Sequence, residues 1–370
     1  MGSESKSITA RLRRAVAASV LSADASQVHA ARQLDRLALD LRAHQSPLQR
    51  LRDLLGAFGA RPSQRPVKGV YLWGGVGRGK TLLMDLFVDE LSGVALERTH
   101  FYRFMRSVHA ELRDIKDHSD PLAVVAERLT ARVRVICLDE FFVSDIADAM
   151  LLAGLFAGLF SRGVALVATS NVAPVNLYRD GLQRQRFLSA ITLIERHVQV
   201  VNLEGSVDYR LRQLEQAPTY LDSADPGTAG RLRQQFTAMA GGAMQGPNVI
   251  TVEDRPIQAQ ALGPGLAWFA FADLCEGPRS QNDYIDLARL YHTIFIADVP
   301  VFTPLSEDAA RRFIMLIDEF YDRGVNLVLS AAAPPTQLYQ GEKLTFEFER
   351  AASRLIEMQT EAYLAGEHRP

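Results

Sequence analysis

The chain has 370 residues, of which 48% are hydrophobic and 23% are charged, and its formal net charge is −2. This length accommodates two domains, or one large α/β core with appendages. The near-neutral charge gives no general electrostatic attraction to nucleic acid or anionic lipid. No run approaches the roughly 18 consecutive apolar residues of a membrane-spanning helix. The two cysteines, Cys137 and Cys275, are interpreted as reduced core thiols, and we expect a cytoplasmic bacterial protein.

The N-terminal region has the pattern of amphipathic helices as far as residue 60. Apolar residues recur there at helical spacing: Ala30, Leu34, Leu37, Leu41, Leu48, Leu51, Leu54 and Leu55. From residue 67 predicted strands alternate with predicted helices. This alternation favours a mainly parallel sheet covered by helices.

A glycine-rich run from Gly74 to Thr81 matches the pattern G-x-x-x-x-G-K-[ST]. The segment Gly69–Trp73 before it has the character of a buried strand, and an apolar-striped helix follows, which is the context of a phosphate-binding loop. Lys80 is predicted to contact the β- and γ-phosphates, and the hydroxyl of Thr81 to bind Mg²⁺. The predicted nucleotide-binding residues are Gly74, Gly75, Val76, Gly77, Arg78, Gly79, Lys80, Thr81 and Leu82.

The segment after this helix predicts a strand near residues 99–104, followed by helices near 105–116 and 121–131. Alternating aromatic residues between His100 and Met105 are more typical of a core strand. The alternative is that these aromatics line the central pore of a ring and grip a polypeptide. His100 and His109 form no metal-ligand pattern and are interpreted as structural.

Two acidic residues, Asp139 and Glu140, follow the apolar strand Val133–Leu138. Behind a phosphate loop, Asp139 is predicted to bind Mg²⁺ through water and Glu140 to polarise an attacking water. The pair therefore favours hydrolysis over phosphoryl transfer to a small acceptor. The next predicted strand, Val164–Thr169, leads to Asn171, which can sense the γ-phosphate and orient the water; alternatively it only starts a turn.

A basic segment contains Arg184 and Arg186. In ring-forming ATPases an arginine at this point reaches the nucleotide of the neighbouring subunit and neutralises charge in the transition state. Both residues are candidates for this arginine finger, and a solvated helix face is the alternative. Asp145, a little upstream, is interpreted as a helix N-cap.

Residues 214–265 are rich in glycine and proline, which indicates loops. Val249–Val252 and Leu266–Phe271 are predicted to be strands of a small antiparallel unit, after which the α/β pattern returns. Arg162-Gly163-Val164 and the residues after it are echoed by Arg323-Gly324-Val325 and the residues after it. This echo is either a degenerate repeat that has lost its nucleotide site or a similar packing solution used twice.

Several segments together resemble the ZapE cell-division ATPases of proteobacteria and their mitochondrial relatives, a branch of the AAA+ proteins. The resemblance begins near residue 24 and is carried by six stretches: Tyr71–Thr81, His100–Met105, Leu138–Ile146, Gly181–Leu188, Arg279–Tyr284 and Asp318–Tyr321. It implies an α/β fold of the P-loop NTPase (AAA+) type. The expected domains are a helical N-terminal region (1–60), an ATPase core (61–213) and a C-terminal α/β lobe with a small antiparallel unit (214–370).

The resemblance also implies function. It predicts an ATPase that uses ATP and Mg²⁺ to remodel FtsZ, or another protein polymer, at the division septum, while the mitochondrial relatives assist quality control of respiratory-chain subunits. An ATP-dependent homo-oligomer is expected, without direct nucleic-acid binding, and peripheral membrane association stays open. The lid arginine of AAA+ proteins has two candidates, Arg279 and Arg312. The alternatives are a loader-type ATPase that acts with nucleic acid and an ATP-switched adaptor or chaperone.

Overall fold

The computed structural model describes residues 7–18, 25–43, 67–75, 77–116, 118–203, 214, 217–240, 244–253, 255–366 and 368–369. The predicted helical repeat from Leu48 to Leu55, and Val76 of the phosphate loop, lie outside these residues. The chain divides into two compact units, residues 1–207 and 208–370. Among the described residues, no helix combines the length and the hydropathy that crossing a bilayer requires.

The first unit alternates strands and helices after two N-terminal helices. Its helices are α1 (Ile8–Ala18), α2 (Ala25–Ala43), α3 (Lys80–Glu90), α4 (Phe101–Asp114), α5 (Pro121–Arg132), α6 (Ile146–Ser161) and α7 (Arg184–His197). Its strands are β1 (Gly69–Trp73), β2 (Leu96–His100), β3 (Val135–Asp139), β4 (Ala165–Ser170) and β5 (Val198–Asn202). A 3-10 turn, Pro174–Asn176, lies between β4 and α7.

The five strands form one sheet in the order β2-β3-β4-β1-β5, and every pairing is parallel. This order brings the end of β1, where the glycine-rich loop begins, beside the end of β4, with β3 one strand further away. Because the strands are parallel, all of these ends lie at the same edge of the sheet, where α/β proteins bind ligands. The predicted α/β fold, a parallel sheet covered by helices, is confirmed.

Both faces of this sheet are covered, which explains the nearly continuous apolar character of its central strands. On β1, Tyr71 belongs to the hydrophobic core on one face, whereas Val70 and Leu72 belong to the core on the other. The second of these cores also contains Leu34 and Leu37 of α2. The N-terminal helices therefore pack on the same face of the sheet as α3.

The prediction of a strand near residues 99–104 is wrong. The structure ends β2 at His100 and begins α4 at Phe101. The buried residues Phe101, Phe104, Met105 and Val108 follow the helical spacing i, i+3, i+4, i+7. Phe101 and Phe104 are only 3% and 2% exposed, so these two side chains belong to the core and do not line a pore. Tyr102 is half-buried, and a pore role for it stays a prediction.

The second unit has a sheet of its own. Its strands are β6 (Tyr220–Asp222), β7 (Asn248–Val252), β8 (Arg255–Ala259), β9 (Ala261–Gly263), β10 (Leu266–Ala270), β11 (Thr293–Val299) and β12 (Asn326–Ala331). Its helices are α8 (Thr228–Ala240), α9 (Phe271–Cys275), α10 (Gln281–Leu290), α11 (Glu307–Asp322), α12 (Thr345–Glu357) and α13 (Glu361–Leu364). A 3-10 turn, Pro335–Gln337, follows β12.

The small antiparallel unit differs from the sequence-based prediction. Strand β7 pairs with β8 in a two-stranded hairpin, whereas β10 belongs to the five-stranded sheet β6-β12-β11-β10-β9. Within that sheet β10 runs parallel to β11 and antiparallel to the short edge strand β9. The full burial of Leu266, Ala267 and Phe269 explains this position, because a strand covered on both faces belongs inside a sheet.

The second unit repeats part of the first. Four consecutive elements of the first unit recur in the second at a constant offset of 161 residues. In the first unit they begin at residues 146 (α6), 165 (β4), 174 (the first 3-10 turn) and 184 (α7). In the second they begin at residues 307 (α11), 326 (β12), 335 (the second 3-10 turn) and 345 (α12). The parallel order β10-β11-β12-β6 also repeats β2-β3-β4-β1. The echoed segments Arg162–Val164 and Arg323–Val325 form the turns that lead into β4 and β12.

Candidate ATP-binding and hydrolysis site

The glycine-rich loop needs its glycines for backbone conformation. Gly74, Gly77 and Gly79 have φ angles of 149°, 78° and 80°, which L side chains rarely adopt. A Cβ at Gly74 would lie 2.8 Å from the carbonyl oxygen of Leu203. The Gly74 amide donates to the carbonyl of Ser170 at 3.2 Å, which anchors the loop to the end of β4.

Lys80 begins helix α3, directly after Gly79 in the left-handed conformation. Its Nζ donates to the carbonyl oxygens of Gly74 and Gly75, both at 2.6 Å, so the ammonium group is bound to the first two residues of the loop. The first-turn amides of a helix lack intrahelical partners and favour an anion. The half-buried Thr81 and the exposed Leu82 complete this first turn. Loop, ammonium group and helix N-terminus thus converge as a phosphate site requires.

Gln27 contacts this loop and was not predicted as a site residue. It lies on α2 and is 9% exposed, and its side-chain Nε2 donates to the carbonyl of Arg78 at 3.0 Å. A Cβ at Gly79 would lie 3.1 Å from the same nitrogen. The sequence offered one indication of this contact. Gln27 is polar but has the same helical spacing as Ala30 and Leu34, so it lies on the apolar, inward face of the helix.

Asp139 and Glu140 lie where β3 ends. Glu140 has a φ of 52°, an uncommon value for a residue other than glycine. Its amide donates to Thr169 Oγ1 at 3.1 Å, and the Phe141 amide donates to the Thr169 carbonyl at 2.7 Å. The hydroxyl of Ser170 donates to the Phe141 carbonyl at 2.7 Å. These bonds hold the turn after β3 against β4 and fix the direction in which the two acids leave the strand.

Arg98 is a second residue that the sequence did not indicate. From β2, its guanidinium group donates to Asp139 Oδ2 at 2.7 Å and to Asp85 Oδ1 at 2.5 Å. Burial lowers the pKa of Arg98, but the carboxylates of Asp139 and Asp85 outweigh burial and raise it above its usual range. Burial raises the pKa of Asp85, although Arg98 opposes the shift. Burial also lowers the pKa of His100, which favours its neutral form.

The residues predicted to hold Mg²⁺ present hard oxygen donors. Thr81 offers a hydroxyl, and Asp139, a buried residue, offers a carboxylate. Mg²⁺ keeps several waters and takes few protein ligands when it binds with nucleotide phosphates. Among the described residues, no group of three or more His, Cys, Asp or Glu side chains could hold a metal by itself. The donor set therefore fits a Mg²⁺ ion that shares its coordination with a nucleotide.

The predicted sensor and arginine-finger residues differ in solvent exposure and in their hydrogen-bond partners. Asn171 follows β4 directly and is half-buried at the sheet edge that carries Glu140. Arg184 is half-buried and donates to the Val175 carbonyl at 2.6 Å. Arg186 is exposed, and its guanidinium donates to Gln183 Oε1 at 3.0 Å. The finger and sensor roles stay predictions.

The remaining candidates have structural contacts. The side chain of Asp145 accepts from the amides of Ala147 and Asp148, which confirms the predicted N-cap of α6. His109 pairs with Asp148 at 2.7 Å. The lid candidates donate to main-chain carbonyls within the second unit: Arg279 to Asp273 and Pro256, and Arg312 to Cys275.

Comparison with known proteins identifies the family of this chain. The sequence matches the family of AFG1-like ATPases over residues 6–367. It is 51% identical over 303 residues to the cell division protein ZapE of Escherichia coli (strain K12), covering 82% of this chain and 81% of that protein. It is 35% identical to lactation elevated protein 1 homolog B of Danio rerio, covering 80% and 68% of the two chains. Among solved structures, DnaI has a TM-score of 0.35 at 18% identity, covering 50% of this chain and 84% of that one. The chain belongs to the AFG1-like ATPase family.

Proposed function

We propose that the chain couples ATP hydrolysis in its first unit to the remodelling of a protein polymer at the bacterial division site, with FtsZ as the target. The observation that carries the hydrolytic part is the fixed turn after β3, which holds Glu140 at the sheet edge where the phosphate loop begins. The division-site part is supported by the 51% identity to a protein named for cell division.

Each residue of the site has a chemical task in this proposal. The amides of the loop and of the first turn of α3 bind the phosphates, and Lys80 exchanges its two carbonyl partners for phosphate oxygens. Thr81 and Asp139 would hold a Mg²⁺ ion, which neutralises phosphate charge when bound. The Glu140 carboxylate accepts a proton from the attacking water, and Asn171 orients that water. Arg186, or Arg184, acts on the nucleotide of a neighbouring copy in an ATP-dependent homo-oligomer.

The same proposal places the protein in the cytoplasm and at the division septum. Its partner there is a polymer rather than nucleic acid, in keeping with the net charge of −2. FtsZ remodelling requires contact with the polymer, and this contact can be measured separately from ATP turnover.

The decisive experiment combines ATP turnover with FtsZ sedimentation. The wild-type protein with ATP is expected to change the amount of sedimented FtsZ, and FtsZ is expected to change the rate of ATP hydrolysis. The Glu140→Gln protein serves as a control that binds ATP without hydrolysing it, and it should leave FtsZ polymers intact. If neither measurement responds to FtsZ, the polymer target is wrong while the ATPase stands. If Glu140→Gln acts on FtsZ as well as the wild type does, ATP binding alone suffices and the adaptor alternative gains support.

A further inference from the structure

Arg98 joins two carboxylates on different elements of the first unit. Its side chain is 26% exposed, and it forms ion pairs with Asp139, at the end of β3, and with Asp85, on α3. The side chains of Asp139 and Asp85 are 12% and 32% exposed. Two partly buried carboxylates that share one guanidinium group would repel each other without it, because charges interact more strongly where water is scarce.

The position of Asp85 connects this pair to the nucleotide. Asp85 follows Thr81 by four residues on α3, so both side chains lie on one face of the helix. Arg98 therefore ties the helix that begins at Lys80 to the strand that carries Asp139. Removing its charge would leave two uncompensated negative charges, Asp85 on the helix face that carries Thr81 and Asp139 at the end of β3.

We propose that Arg98 is a positioning residue that balances the charge of Asp139 and Asp85 in the nucleotide-free protein, so that Mg²⁺ enters the site together with the nucleotide rather than alone. The proposal rests on the Mg²⁺ site at Thr81 and Asp139 described under the proposed function. Its physical basis is that the affinity of an oxygen site for a divalent cation rises with the number of uncompensated carboxylates. Arg98 reduces that number until phosphate oxygens are present.

The test is thermal unfolding of the nucleotide-free protein at increasing Mg²⁺ concentration. The wild type should show the same Tm with and without millimolar Mg²⁺. Arg98→Met, which keeps much of the side-chain length but loses the charge, should unfold at a lower temperature in metal-free buffer and recover by about 3 °C or more with Mg²⁺. The double variant Asp85→Asn with Arg98→Met should lose most of this recovery, because one carboxylate is gone.

Two further variants separate charge from packing. Arg98→Lys keeps a positive charge, so its Tm should respond to Mg²⁺ as little as that of the wild type. Arg98→Gln keeps a donor beside Asp139 without the charge, and it carries the same test if Arg98→Met does not fold. An equal Mg²⁺ response in the wild type and the neutral variants would overturn the proposal.

A separate measurement distinguishes failure of the metal site from failure of the Arg98 role. Binding of a fluorescent ATP analogue to Asp139→Asn should lose its dependence on Mg²⁺. If that dependence survives, the metal site at Asp139 is wrong, and the Arg98 proposal falls with it. If the dependence is lost but the neutral Arg98 variants show no Mg²⁺ response, the metal site stands and only the role of Arg98 is wrong.

Discussion

The roles of Lys80 and Glu140 can be separated by measuring binding and turnover independently. Lys80→Ala removes charge-assisted hydrogen bonds to phosphate and should weaken ATP binding by roughly 10- to 100-fold. Glu140→Gln keeps the shape of the side chain but cannot accept a proton, so binding should persist while kcat falls by about 100- to 1,000-fold. Equilibrium binding of a fluorescent ATP analogue and steady-state phosphate release measure the two effects. Wild-type turnover in both variants would contradict the catalytic assignment.

The two finger candidates can be separated by mixing variants. Arg186 is exposed, whereas Arg184 is held by the Val175 carbonyl, so we expect Arg186 to act in trans. Arg186→Ala should lower turnover without lowering the Tm, and Arg184→Ala should lower the Tm. Adding Glu140→Gln protein to Arg186→Ala protein should restore part of the turnover, because each copy supplies what the other lacks. Absence of recovery in mixed oligomers would argue against action between subunits.

The residues of the candidate site differ in how far the sequence could indicate them. The loop pattern and the acids at the end of a strand are local motifs, and they were enough to predict Lys80, Asp139 and Glu140. Arg98 and Gln27 could not be assigned to the site from a motif. They reach it from other elements, and contacts between residues 41 or 51 positions apart depend on tertiary packing.

At the scale of elements, periodicity predicted the strands best where burial on both faces makes them continuously apolar. It failed at the start of α4, because Phe101 and Phe104 suit a strand in isolation and a buried helix face once packed. It also failed for β10, which is identified as part of a larger sheet only by its pairing with β11. Register and neighbours are properties of the assembled sheet, and a single segment does not contain them.

Helix α2 is expected to support nucleotide binding through Gln27. The Gln27 side chain satisfies the Arg78 carbonyl next to Gly79, so Gln27→Ala should loosen the loop and lower the free energy of unfolding by about 1 kcal/mol. ATP affinity should fall several-fold at the same time. Gln33→Ala on the same helix is the matched control and should leave ATP affinity unchanged. Unchanged affinity in Gln27→Ala would limit this contact to a role in folding.

At the scale of the whole molecule, the second unit repeats the first closely enough to compare individual atoms. Asp298 occupies the position of Glu140 and shares its unusual backbone, with φ of 63° against 52°. Three hydrogen bonds of the first unit have equivalents in the second. Gly74 N donates to Ser170 O at 3.2 Å, and Ser223 N donates to Ala331 O at 2.9 Å. Glu140 N donates to Thr169 Oγ1 at 3.1 Å, as Asp298 N does to Ser330 Oγ at 2.9 Å, and Tyr71 OH donates to Val172 O at 3.1 Å, as Tyr220 OH does to Ala333 O at 2.6 Å.

The loop after β6 differs from the glycine-rich loop after β1 at the positions predicted to bind phosphate. Gly227 precedes α8 as Gly79 precedes α3, but Thr228 stands where Lys80 stands in the first unit. The carboxylate of Asp225 accepts from the Gly227 amide at 2.8 Å and from Arg231 at 2.7 Å. The Asp225 carboxylate therefore already occupies the Gly227 amide and the Arg231 guanidinium, the two groups that a bound anion would use. The degenerate-repeat alternative accounts for these matches, which helix packing alone does not require.

We therefore expect one nucleotide per chain, bound only in the first unit. Equilibrium dialysis with a labelled ATP analogue should give a stoichiometry near one for the wild type, and Lys80→Ala should show no second class of sites at higher concentration. Asp225→Asn weakens the contact with Arg231 and should leave the stoichiometry at one, because the second loop still lacks a lysine. Binding that survives Lys80→Ala and disappears on substitution of Thr228 or Arg231 would show that the second unit has kept a nucleotide site. A stoichiometry of one would mean that the second unit does not hydrolyse ATP and has another function. Substitutions confined to residues 208–370 can then test, by FtsZ sedimentation, whether that function is contact with the polymer.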